Sequence, residues 1–181
     1  MRGSSLLACL RLACALLLGC CALSGTAHAD ADVIPEYRLK TAFLYNFVRF
    51  TEWPPEIGST LTLCILGPDP FGPEIDALQG KLIGERSIAV LRRSEDESPG
   101  ACQIVFIAPG AIARLPHVLD ALRGKPVLTV ADSPGAARAG VVLNMKLTQD
   151  KISFEANQRA ARSAGLALSS QMLRLATDVI Q

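Results

Sequence analysis

The chain has 181 residues, half of them hydrophobic, and a formal net charge of +1. That balance gives no electrostatic reason to expect nucleic acid or an anionic membrane as a partner, and the length suits one domain with its own core. Two histidines and scattered acidic residues supply neither the clustered ligands of a metal centre nor an obvious hydrolytic triad.

The start of the chain reads as an export signal. Arg2 precedes an apolar run, Arg11 sits early within it, and residues 12–23 carry no charge. Ser24-Gly25-Thr26 breaks the run, and Ala27-His28-Ala29 provides a small-x-small cleavage site. The uncharged core is too short to span roughly 30 Å of hydrocarbon, which argues against a membrane anchor. Leu17-Leu18-Gly19-Cys20 offers a competing lipoprotein-type signal, although Leu18 is bulky for that position. The expected division is therefore a signal peptide over residues 1–29 and a single domain over 30–181. Removing 29 of the 181 residues leaves 152, with 16 Lys and Arg against 17 Asp and Glu, a net charge of −1. Four of the six cysteines leave with the signal, and Cys64 and Cys102 remain. In an oxidising compartment the two can bridge; the alternative is a pair of buried free thiols.

Pro35 introduces a helix expected over 36–50, with Leu39, Phe43, Phe47 and Phe50 recurring on one face. Pro54-Pro55 closes it off. Residues 60–66 read as a buried strand, 71–79 as a short helix and 86–91 as a second strand. A polar loop over 92–100 leads to a third strand at 103–108. An amphipathic helix is expected over 111–122, closed by Gly124, and a fourth strand over 126–131. Apolar strands alternating with helices indicate an α/β fold: a mostly parallel central sheet with helices on both faces. The pattern then changes. Strands at 140–147 and 151–155 flank Thr148-Gln149-Asp150 and read as a C-terminal β-hairpin. Residues 157–180 read as helical, with Asn157 as N-cap, a break at Gly165 and a second cap at Ser169 or Ser170.

Little catalytic chemistry is legible. His117 stands alone on its expected helix, with no nucleophile motif beside it. The loop after the first strand, Gly67-Pro68-Asp69-Pro70, occupies a place where α/β proteins hold phosphates, but its prolines donate no N–H and Asp69 would repel an anion. Asp69, with Asp132 and Ser133 after the fourth strand, frames a possible small-molecule crevice. No cofactor and no metal are expected. The aromatic residues are more informative. Six of nine, Tyr37, Phe43, Tyr45, Phe47, Phe50 and Trp53, fall within residues 37–53. Phe43, Phe47 and Phe50 are assigned to the core. Tyr37, Tyr45 and Trp53 cannot all share that face, which makes them candidate partner-binding residues.

Together these segments resemble the YfiR family. The likeness rests on residues 39–47 (LKTAFLYNF), Phe50-Thr51-Glu52-Trp53-Pro54 and Cys64-Ile65-Leu66-Gly67. It continues through Cys102-Gln103-Ile104-Val105-Phe106-Ile107, Val127-Leu128-Thr129-Val130 and Gly140-Val141-Val142-Leu143-Asn144. It closes on Ile152-Ser153-Phe154-Glu155-Ala156-Asn157, Ala164-Gly165-Leu166 and Leu173-Arg174-Leu175-Ala176. The resemblance implies a non-enzymatic periplasmic α/β protein. Such a protein represses an inner-membrane diguanylate cyclase through the cyclase's periplasmic domain and so controls cyclic di-GMP and biofilm formation. It further implies sequestration by an outer-membrane lipoprotein, a homodimeric state, and a disulfide at Cys64 and Cys102. A second cysteine pair found in some members has no counterpart within residues 141–155.

Overall fold

The computed structural model describes residues 30–149 and 151–181. The expected signal peptide, the alternative at Cys20 and Asp150 of the hairpin turn lie outside the described residues. In chain order the elements are α1 (Asp30–Arg49), β1 (Thr51–Glu52), β2 (Thr60–Leu66), β3 (Leu82–Ile83), β4 (Arg86–Arg93), β5 (Ile104–Ile107) and α2 (Leu115–Ala121). Then follow β6 (Leu128–Ala131), β7 (Leu143–Thr148), β8 (Lys151–Asn157), α3 (Gln158–Ser163), β9 (Ala167–Leu168), α4 (Ser170–Leu175) and β10 (Asp178–Ile180).

Eight strands form one sheet in the order β10-β8-β7-β6-β5-β2-β4-β3. β2 is parallel to both β4 and β5, β5 to β6, β6 to β7, and β8 to β10. The exceptions are the β7–β8 hairpin and the short β3–β4 pairing, which are antiparallel. β1 and β9 make a separate two-residue ladder.

Each central strand buries both faces, as its continuous apolar sequence requires. On β2, Leu61, Leu63 and Ile65 join a core with Leu44, Phe47 and Val48 of α1 and with Met172 of α4. Cys64 and Leu66, on the other face, pack with Leu115 and Val118 of α2. The Cys64–Cys102 disulfide lies in this second core, joining β2 to the residues leading into β5, with Cα atoms 6.0 Å apart. It closes the question of free thiols.

Three expected helices differ in detail. Residues Gly72–Leu78 form a 3-10 helix. The helix expected over 111–122 divides into a 3-10 stretch, Pro109–Arg114, and α2. Pro116 has no N–H with which to continue an incoming helix, so α2 starts afresh around it. The long helix expected over 157–180 is four elements. Asn157 caps α3 by accepting from Ala160 N, and Ser169 caps α4 by accepting from Met172 N. Thr177 N then donates to Phe154 O, 2.8 Å away. That bond carries the chain into β10 beside β8, where Val179 and Ile180 suit a strand.

Candidate functional site

The sheet changes direction of growth between β2 and β5, where open α/β folds commonly leave a crevice. Here the protein closes that place itself. Gly67 has φ +93°, and a Cβ added to it would stand 2.7 Å from Ala111 Cβ. One added to Gly110 would meet Pro68 Cδ at 3.1 Å. The loops after β2 and β5 are thus packed directly on each other.

Asp69 is occupied locally. Its Oδ1 accepts from Phe71 N at 2.8 Å and its Oδ2 from Arg92 Nε at 2.7 Å. Arg92 also donates to Asp76 and to Gly72 O. The shallow groove beside Asp69 is lined by residues 67–69 and 92–96, and includes neither Asp132 nor Ser133. Asp132 instead lies beneath α1, its side chain 2% exposed. Lys40 Nζ is 2.5 Å from Asp132 Oδ2, Tyr37 donates its hydroxyl to the same oxygen at 3.0 Å, and Glu36 also pairs with Lys40. Burial, then the Asp132 charge, pushes the Tyr37 phenol well above its ordinary value. Ser133 is buried next in the chain. The structure therefore separates Asp69 from the Asp132–Ser133 pair and ties Asp132 to a clasp between α1 and β6.

The aromatic residues are distributed differently from the expectation. Tyr37 is buried, packed edge-on against Phe71. Tyr45 is half-buried with its hydroxyl 3.3 Å from Leu82 O, and Trp53 is half-buried with Nε1–H donating to Val48 O at 3.2 Å. Phe43 and Phe50, expected in the core, are half-buried and pack against its edge. They line an apolar groove of about 250 Å³ with Phe47, Phe154, Met172 and Leu175. Leu175 is 70% exposed at its rim, and Leu39, one turn before Phe43, is 47% exposed. The buried stripe of α1 runs instead through Tyr37, Lys40, Thr41, Leu44, Phe47 and Val48. Two members of that stripe are polar, which hides it from a search for apolar spacing. Thr41 Oγ1 donates to Tyr37 O at 2.8 Å, and Lys40 is neutralised by Asp132.

A second buried polar group was not legible beforehand. Asn144 on β7 donates to Glu155 on β8 at 3.1 Å, and Lys146 lies 2.5 Å from the same carboxylate. Burial pushes the Glu155 carboxyl up, but the hydrogen bonds from Lys146 and Asn144 prevail and hold it below the ordinary value. Its only sequence signal is alternation along the hairpin, with Leu143, Met145 and Phe154 on the opposite face.

His117 is exposed on α2. Among the described residues, no three His, Cys, Asp or Glu side chains are grouped so as to hold a metal ion. No helix among them is long and apolar enough to cross a membrane. In a comparison with known protein families, the family model described as YfiR/HmsC-like matches residues 37–177.

Proposed function

Since the chain belongs to the YfiR/HmsC-like family, we propose that it is a non-enzymatic periplasmic regulator of an inner-membrane diguanylate cyclase. In this reading it is exported, cleaved after Ala29, and binds the cyclase's periplasmic sensor domain. A soluble protein changes such an enzyme only by preferring one of its states. A preference of about 3 kcal/mol for the inactive state shifts the equilibrium by roughly two orders of magnitude. Cyclic di-GMP falls, and biofilm formation with it.

The observation that supports this reading, beside the family, is the open apolar face of α1 and α4. Phe43, Phe50 and Leu175 present large apolar side chains around a groove, the composition that protein interfaces concentrate at their centres. Tyr45 and Trp53, half-buried and on the same helix or just after it, extend the proposed contact. Tyr37, the third candidate, is buried and held in the clasp at Asp132. Sequestration by an outer-membrane lipoprotein and a homodimeric state are further parts of the proposal, supported by the family alone.

The test is cyclic di-GMP measured in cells lacking this protein and complemented with it. Wild type lowers the pool. Phe50→Asp and Leu175→Glu, exported at equal level, leave it high. A pool unchanged by wild type would overturn the reading.

A further inference from the structure

The groove between α1 and α4 has a shape and a surround that narrow what can fill it. At about 250 Å³ it lies below the range of roughly 300–1,000 Å³ typical of small-molecule sites. That is room for a few side chains of a larger partner. Apart from Phe154, its lining residues lie on α1, on α4 or directly after α1. Phe154 belongs to β8, which is flanked by β7 and β10. Met145 stands opposite it on β7, and its carbonyl accepts from Thr177 N at 2.8 Å. The groove therefore offers an incoming strand no sheet edge, and recognition falls to side chains. An amphipathic helix meets that condition, since it enters a groove through side chains three, four and seven residues apart.

The lining is uncharged, with Asn46 and Gln171 as its polar members. Two arginines stand beside it. The Arg49 guanidinium lies over the Phe50 ring, 5.4 Å from its centroid. Arg174 is exposed on α4, three residues after Gln171 and so its neighbour on the helix surface. Neither arginine forms an ion pair among the described residues. Glu52, the acidic residue nearest to Arg49 in the chain, stands on β1 against β9 and pairs with neither.

Resting on the reading of this face as a partner-binding surface, we propose that its occupant is an amphipathic helix of a partner protein whose apolar stripe is flanked by Asp or Glu. Apolar side chains of that helix enter between Phe43, Phe50 and Leu175, and its carboxylates meet Arg49 and Arg174. Rim charges of this kind fix orientation and speed association, and they make the binding salt-dependent.

Titration calorimetry of the full protein with three synthetic peptides tests the proposal, each about 18 residues long so that a helix can form in water. The first has Leu and Phe at helical spacing, flanked by Glu. The second carries Lys in place of Glu. The third keeps the composition of the first, with the apolar residues alternating. The first binds saturably and loses affinity as salt is raised, and the other two bind about tenfold more weakly or less. Leu175→Ser, a change at a residue 70% exposed and therefore outside the core, weakens the first peptide about tenfold. Arg49→Glu combined with Arg174→Glu transfers the preference to the Lys peptide. No binding of the Glu peptide, equal binding of the Lys or the alternating peptide, or full binding by Leu175→Ser would each overturn the proposal. A Glu peptide that binds where the cyclase's periplasmic domain does not would support this inference and overturn the cyclase as partner. A cyclase domain that binds where the Glu peptide does not would do the reverse.

Discussion

Lys40 lies almost wholly inside the protein because Asp132 and Glu36 are there to receive it. Taking an ammonium out of water costs several kcal/mol, and the cost is offset only while a counter-charge is in place. Asp132 depends on that contact equally, since its Oδ1 is buried with no partner among the described residues. Lys40→Met therefore strands a buried carboxylate and is expected to lower stability by about 3–5 kcal/mol, measured by denaturant unfolding. Lys40→Met combined with Asp132→Leu recovers most of that loss, because no charge is left uncompensated. Tyr37 adds a pH dependence of definite sign. Its folded phenol is raised above the unfolded value of about 10, so its contribution is complete below that pH and disappears as pH rises beyond it. Tyr37→Phe should cost about 1 kcal/mol at neutral pH and flatten the alkaline limb of a stability–pH curve. A limb as steep as that of wild type would show that Tyr37 is not the group responsible.

Among the elements, β2 and β5 are joined by more than their ladder. The Cys64–Cys102 bridge closes a loop 38 residues long, for which the chain-entropy account gives about 4 kcal/mol. Cys64→Ser or Cys102→Ser is accordingly expected to melt well below wild type under oxidising conditions, and reduction of wild type should bring it to the level of the variants. The central strands were legible in the sequence because both their faces are buried: β5 is an unbroken apolar run, and β2 and β6 are interrupted only by threonine. The β7–β8 hairpin was legible from its turn. The phase of α1 was not. Its buried stripe contains Lys40, whose partner lies 92 residues away, and no local pattern announces a pairing at that separation. Leu39 satisfied the apolar spacing while facing outward, and Phe43 and Phe50 pack at the edge of the core beside a groove. The two-residue strands β3 and β9 are too short to show alternation, and β10 depends on its pairing with β8. Of the candidate site, the cysteine pair was readable from compartment and family. The burial of Tyr37 followed from that same helix phase.

On the scale of the whole molecule, the sheet separates two tasks. Its α2 side holds the disulfide and a closed core. Its α1 side buries a second core and leaves Phe43, Phe50 and Leu175 open around a groove. The clasp at Asp132 fastens α1 to β6 and so orients that face. The proposed regulator thus carries an apolar surface on a disulfide-bridged scaffold. Its central claim is contact with the periplasmic domain of the cyclase, and direct titration of the two purified proteins tests it. The expected result is saturable binding by wild type, weakened about tenfold or more by Phe50→Asp and by Leu175→Glu, each shown by its melting curve to be folded at the assay temperature. No binding by wild type, or equal binding by both variants, would contradict it.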